Sequence, residues 1–514
     1  MKKQSLIKGT LILGGAGIFS KFLGIFFRWP LIMLIGDEGV GLYQMSYPLF
    51  MFLVAIATGI PVAISKLVAE RNAVNDIDGS FQVLKESLKL MVFLGTGLSL
   101  ILFFFARPIV TFLKWDNKAY YSLLGVSLAP FFIYIMDAFR GFFQGHQNMT
   151  PTAASQVVEQ IGRVLGGVGL AFLLYPKGIE YAAGGAAFGA TAGGFLGDIY
   201  LIGKYLKFKM GRSILKLKGD PATMKNLIHM ALPISLGAAA STVMTLIDSA
   251  LVPQKLLEAG FNQSNATILF GQLTGKASVL INIPLTVSIA LGSSIVPIIA
   301  EAYSMKRYAD GYRKIDNALM LSAVLAIPCT LGLYYMAHPI LNLVFPGKGE
   351  GYLILKYLSL SIPFIILAQT TTSVLQGAGY YVKPVINLLI GCVVKILLTL
   401  MLVPRADINI YGAVIASIGA YVTAALLNVY DMKKLMSVGI DYYKLLIRPA
   451  YASVVMIISV LYTYAMLLRE EASQGIACLI SIFVGIIIYV IFILAFGVID
   501  YDYVRTKIYN QLKK

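Results

Sequence analysis

Apolar residues in this chain come in long unbroken blocks. They lack the strict alternation of half-buried strands and the one-sided stripe of soluble amphipathic helices. Residues 18–36, IFSKFLGIFFRWPLIMLIG, form one such block, and blocks near the roughly 20 residues needed to cross a bilayer recur to the end. The pattern predicts fourteen spans: about 7–35, 44–68, 86–106, 121–144, 152–175, 181–203, 228–252, 269–299, 317–337, 352–376, 384–403, 409–430, 449–468 and 474–498. The longest polar stretch, about 207–225, is too short to enclose a core. The expected fold class is therefore an all-α polytopic membrane protein with no soluble domain.

The loops orient this array. With the N-terminus placed in the cytoplasm, the cytoplasmic ends and loops collect 28 Lys/Arg, the external loops nine, and five remain inside spans. A miscount by one helix would scramble that alternation, so both termini are expected inside. Composition agrees, with 58% apolar and 13% charged residues in 514. The net charge of +17 is mostly this topology signal plus attraction to anionic headgroups, and nucleic acid is not an expected partner. The N-terminal stretch has the basic start and apolar core of a signal peptide but no cleavage site, and reads as a retained first helix. Cys329, Cys392 and Cys478 lie singly in apolar runs and suit packing rather than pairing or zinc.

The chain also resembles itself. ARPIVTFL (106–113) returns as AHPILNLV (337–344) and ISKLVAE (64–70) as IVPIIAE (295–301), both displaced by 231 residues. FQGHQNMTPTAASQVVEQIGR (143–163) aligns with LQGAGYYVKPVINLLIGCVVK (375–395) at 232, which sets Arg163 over Lys395. Two six-helix lobes follow, 1–225 and 226–440, with two more helices and a cytoplasmic tail in 441–514. An even number of helices per lobe makes the repeats parallel, a transporter arrangement whose substrate site lies between lobes near the midplane. Gly185, Gly189, Gly193 and Gly197 recur every four residues, a ridge for close helix packing rather than a ligand site.

Charges inside the spans carry the functional reading. Each is expected to cost about 2.5–3.5 kcal/mol or more if it met lipid at mid-helix. Lys21 and Arg28, seven residues apart, project from nearly one face, and Pro30 should bend the helix just beyond them. Glu159 and Arg163 are spaced to pair on one helix face, and Lys276 is near enough to an external end to snorkel. Asp137 and Asp248 also lie within spans, whereas Asp198 and Arg140 fall toward cytoplasmic helix ends and are set aside. At depth, Lys21, Arg28, Arg163 and Lys395 outnumber Glu159 and Asp248, which suits a cavity for an anion such as pyrophosphate. Soluble-enzyme chemistry is not indicated. GQLTGKAS (271–278) is one residue short of a phosphate loop, the three histidines are scattered, and Asp37-Glu38 reads as a solvated turn. No metal centre and no cofactor are expected.

KGTLILGGAGIFSKFLGIFFR, GDEGVGLYQMSYPLF, GIPVAISKLVAERNA and FRGFFQGHQNMTPTAASQVVEQIGRV resemble the stage V sporulation protein B / polysaccharide biosynthesis family. Its superfamily contains the lipid II flippases and the MATE exporters. The resemblance implies a fourteen-helix, V-shaped transporter of the cytoplasmic membrane that works by alternating access and moves lipid-linked wall precursors outward, in some cases for the spore cortex. Lipid II flippases have a first-helix motif like F-S-R-x-L-G with basic residues facing the cavity. Here Phe19-Ser20-Lys21-Phe22-Leu23-Gly24 matches with lysine for arginine. Their next arginine aligns on Phe27, with Arg28 one place later. Some relatives bind sodium through acids and amides of helices 7 and 11. Asp248 and Asn387 correspond, but the second helix-11 acid falls at Gly391, one carboxylate short.

The expected function is a flippase for an undecaprenyl-pyrophosphate-linked sugar, with Lys21, Arg28, Arg163 and Lys395 on the pyrophosphate. Asp248, Glu159 and Asn387 would tune the field or bind a coupling cation, sodium being the candidate. Membrane lipids and the cell-wall synthesis machinery are the expected partners. The alternatives are a MATE-like exporter of organic cations coupled to Na⁺ or H⁺, which calls for an acidic site, and a membrane glycosyltransferase, which calls for a carboxylate base or metal near an interface.

Overall fold

The computed structural model describes residues 6–208, 219–436 and 443–498, together with 439 and 441. The basic linker at 209–218 and the C-terminal tail from 499 lie outside the described residues. Every regular element among the described residues is helical. The first part comprises α1 (Leu6–Ala57), α2 (Gly59–Ala73), α3 (Ile77–Phe104), α4 (Ala106–Phe112), α5 (Ala119–Ser127), α6 (Ala129–Gly145), α7 (Thr150–Leu174), α8 (Ile179–Phe208), α9 (Pro221–Glu258) and α10 (Gln263–Gly271). After a π-helical turn, Gln272–Ala277, come α11 (Ser278–Ser304), α12 (Tyr308–Tyr335), α13 (Ala337–Val344), α14 (Tyr352–Leu358), α15 (Ile362–Gly377), α16 (Val382–Leu402), α17 (Ile410–Met436), α18 (Arg448–Arg469) and α19 (Gln474–Ala495).

Thirteen helical stretches are long and apolar enough to cross a membrane, against fourteen expected. The difference lies at the start, where Ile12–Ala73 runs as one 62-residue stretch covering most of the first expected span and all of the second. A straight helix of α1's 52 residues would reach about 78 Å, far beyond a hydrocarbon core of about 30 Å. The helix breaks at Gly36, whose φ of 64° and ψ of −169° only glycine adopts without strain. The expected bend at Pro30 is thus displaced to Gly36, and Pro30 itself lies within the helix. Asp37 and Glu38 follow the break in helical residues, not in a solvated turn. Glu38 pairs with Lys118 at 2.8 Å, and this hydrogen-bonded carboxylate raises the pKa of the Lys118 ammonium.

The chain forms two compact units, Met1–Gly271 and Gln272–Lys514. In the first, α8 packs on α7, α5, α6 and α1, while α9 and α10 pack on α1. Trp115 Nε1 donates to the Ser249 carbonyl at 2.7 Å, tying the α4–α5 connection to α9. By packing, α9 therefore goes with the first unit, although the repeat places its residues at the start of the second lobe. In the second unit, α11, α12 and α17 surround α15, and α18 and α19 pair with each other beside α12 and α13. Tyr489 of α19 donates to the Val324 carbonyl of α12 at 2.7 Å, anchoring the extra helices to that unit.

The offset seen in the sequence recurs in the elements. The succession of α3 and the short α4 returns as α12 and the short α13, each starting 231 residues later, and α8 returns as α17 at the same interval. Both copies also break the next span near a proline, α5/α6 before Pro130 and α14/α15 before Pro363.

Candidate functional site

The charges of the first unit converge through spacing and close packing together. Glu159 and Arg163 lie one turn apart on α7, and Asp137 and Arg140 one turn apart on α6, so each pair shares a face. The glycine ridge of α8 brings the backbones together. A Cβ added at Gly193 would lie 2.5 Å from the Glu159 carbonyl, and one at Gly189 would lie 2.7 Å from that of Arg163. Gly185 meets α7 at Leu170, whereas Gly197 faces Met136 of α6.

A buried ladder results. Arg163 Nη2 donates to Glu159 Oε1 at 3.0 Å, and Arg140 Nη2 donates to Glu159 Oε2, also at 3.0 Å. Arg140 further donates to Asp137 at 3.3 Å and to the Ser155 hydroxyl at 2.9 Å. The Arg140, Glu159 and Arg163 side chains are each exposed by 13% or less, so these are pairs in a low-dielectric setting rather than screened surface contacts. Asp198 of α8 lies within electrostatic reach of Asp137 and Arg140.

Arg163 Nε is buried without a hydrogen-bond partner among the described residues, and a further donor of the same side chain opens toward α1. Its Nη1 meets the Tyr47 hydroxyl at 3.3 Å, Tyr47 stacks on Tyr43 at 5.3 Å between ring centroids, and Tyr43 meets Phe27 edge-on. Arg28 and Arg163 both lie within electrostatic reach of Tyr43. Of the cations singled out in the sequence, Arg163 thus bonds this aromatic pair, and the partly exposed Arg28 of α1 lies within electrostatic reach of it. On a different face α1 exposes Phe19, Phe22, Phe26 and Trp29 along one stripe. Lys21 lies on the same helix, but its side chain is outside the described residues.

The other candidates occupy different surroundings. Asp248 is half-buried on α9 of the first unit. Lys395 and Asn387 lie buried on α16 of the second. Asn387 donates to Asn428 and to Asp431, both at 2.9 Å, and Asn428 in turn donates to Thr372 at 3.0 Å. No group of three or more His, Cys, Asp or Glu suited to a metal occurs among the described residues. Lys276 does not snorkel. It is 1% exposed in the π-helical turn and donates to the Lys348 carbonyl at 2.8 Å, clasping the connection before α14.

Sequence reasoning missed Arg140 and Asp198, set aside for their distance from mid-helix. No linear signal finds them, because their partners lie on neighbouring helices. Where helices approach closely, polar side chains several residues from an end are already sealed from water.

Comparison with known proteins agrees with this architecture. The family model for polysaccharide biosynthesis protein matches residues 6–303, and that for MatE matches residues 274–401. Stage V sporulation protein B of Bacillus subtilis (strain 168) is 32% identical over 449 residues, 86% of each chain. Lipid II flippase MurJ of the same organism is 27% identical, covering 87% of this chain and 85% of that one. Among solved structures, lipid II flippase MurJ in an inward closed conformation superposes with a TM-score of 0.72 at 17% identity, covering 94% of this chain and 98% of that one. An inward-facing multidrug resistance MATE family transporter gives 0.68 at 16% identity, covering 81% and 94%. With its apolar helices, its family-model match over more than half its length and a relative alike across nearly all of it, this multi-pass membrane protein belongs to the polysaccharide biosynthesis protein family.

Proposed function

We propose that the chain is a flippase that carries an undecaprenyl-pyrophosphate-linked sugar, a peptidoglycan precursor of the lipid II type, to the outer leaflet of the cytoplasmic membrane. The spore cortex is one wall such a precursor would serve. The observation that carries this reading is Arg163 bonded to Tyr47 beside Tyr43, with Arg28 of α1 within electrostatic reach of Tyr43, all within apolar helices. Guanidinium groups recognise phosphate oxygens in a fork geometry, and the exposed aromatic stripe of α1 gives an isoprenoid tail an apolar flank. Kinship with a sporulation protein and a lipid II flippase over more than four-fifths of the chain supports the same substrate class. Lys21 belongs with Arg28 on this face, and Lys395 is a separate cation candidate in the second unit. Asp248, Glu159 and Asn387 are assigned to tuning the field or to a coupling cation. The chain acts as a carrier, making and breaking no covalent bond, with the repeated lobes (1–225 and 226–440) alternating in access and both termini cytoplasmic.

A MATE-like exporter is the second reading. It is favoured by the MatE match and by the carboxylates of the ladder, which equal its arginines before Asp198 is counted. Reconstitution separates the two. Purified protein in vesicles should expose a fluorescent lipid-linked pyrophosphoryl sugar to an external quencher, and Arg28→Ala should slow exposure tenfold or more. Accumulation of organic cations without movement of the lipid would establish the exporter instead.

A further inference from the structure

The ladder contains a group the transport reading does not use. Asp198 is 4% exposed, and its Oδ1 is buried with no hydrogen-bond partner among the described residues. A carboxylate with one oxygen buried and left without a donor is disfavoured at such a site, whereas the neutral acid is tolerated. Charge counting points the same way. Asp137, Glu159 and Asp198 set three carboxyl groups against the two guanidinium groups of Arg140 and Arg163, so a fully ionised cluster carries one uncompensated buried negative charge. Glu159 and Asp137 each accept arginine hydrogen bonds. Asp198 has none on Oδ1.

We propose that Asp198 is a proton-binding site, the carboxyl group that takes up one proton from water and so neutralises the buried Arg163–Glu159–Arg140–Asp137 ladder. The elements packed against α8 present few other titratable groups. They are Tyr134, Asp137 and Arg140 on α6, Glu159 and Arg163 on α7, Tyr120 and Tyr121 on α5, Tyr175 and Lys177 in the turn before α8, and Arg28, Tyr43 and Tyr47 of α1 near the ladder. On its own helix Glu180 and Tyr181 lie at the N-terminal end, and Tyr200, Lys204, Tyr205 and Lys207 follow toward the C-terminal end. Arg163 belongs both to the ladder and to the cation pair at Tyr43. An anion bound beside it withdraws positive field from Glu159 and strengthens proton binding at Asp198. By reciprocity the bound proton strengthens anion binding. This coupling, unlike the proton site, rests on the pyrophosphate reading.

Infrared spectra of the purified full-length protein, taken from mildly acidic to alkaline pH without substrate, test the site. The carbonyl band of a protonated carboxylic acid should be present near neutrality, vanish on alkalinisation, and be absent from that titration in Asp198→Asn. Asp137→Asn, which removes a neighbouring negative charge, should keep the band but move its loss to lower pH. A band unchanged in Asp198→Asn, or a titration unmoved in Asp137→Asn, would overturn the proposal. Inorganic pyrophosphate should move the wild-type loss to higher pH. If the Asp198 band behaves as stated but pyrophosphate leaves it in place, the proton site stands and the anion reading falls.

Discussion

Arg163 and Glu159 look interchangeable as an i, i+4 pair, yet the ladder makes their removal unequal. Glu159 accepts from two arginines, so Glu159→Ala strands both guanidinium groups in a buried site. Breaking a buried pair in this way costs about 3–5 kcal/mol, and the variant should lose stability and yield in detergent on that scale. Arg163→Ala leaves Glu159 still held by Arg140 at 3.0 Å, so its stability loss should be clearly smaller while its transport is abolished. Thermal melts with vesicle transport assays on both variants check the inequality. Equal destabilisation would mean the two residues serve only each other. Arg163 was legible in the sequence as a deep charge, and its pairing with Glu159 was legible from spacing. Arg140 as the second partner was not, because that bond joins α6 to α7 and linear spacing carries no information about it.

At the scale of the element, small residues decide what the polar ones meet. The four-residue glycine spacing of α8 was readable as a packing ridge, and it seats three of its four members on α7. What it positions was not readable, since the partner face is set by tertiary contact. Gly193→Leu drives a side chain into the Glu159 carbonyl, and overpacking of this kind costs about 1–3 kcal/mol. The same variant should displace the ladder and lower transport, whereas a leucine at Gly203, where an added Cβ meets nothing within 4 Å, should be silent. The break of α1 shows a complementary miss. Proline is the strongest kink signal in a sequence, and Pro30 drew the expectation, but the residue with non-helical dihedrals is Gly36. Gly36→Ala forces that backbone away from its φ of 64° and should cost about 1–3 kcal/mol, measured by thermal melting. In the second unit, Lys276→Met removes the donor to the Lys348 carbonyl. Leaving such an acceptor unsatisfied costs about 1–3 kcal/mol, and faster hydrogen exchange over 345–351 should report it.

For the whole molecule, the stretch Ile12–Ala73 controls the orientation of everything after it. Hydropathy gives it as one candidate span, while its length and the Gly36 break fit two crossings. Two crossings return the chain to the side of its N-terminus by Val74, and the lysine and arginine bias of all later loops then falls on the cytoplasmic side. One crossing would invert every loop and place the basic segment around 204–225 outside, against that bias. Single cysteines at the exposed positions Val74, Asn117 and Ala222, in a chain whose native Cys329, Cys392 and Cys478 have been replaced, decide between these. An impermeant maleimide applied to intact cells should label Asn117→Cys and leave Val74→Cys and Ala222→Cys unmodified until the membrane is permeabilised. Labelling of Val74→Cys in intact cells would make Ile12–Ala73 a single crossing. It would also invert α7, and Arg163 with it, while leaving α1 and Arg28 in the direction assumed here, so the two cations could no longer face one site and the pyrophosphate reading would fall.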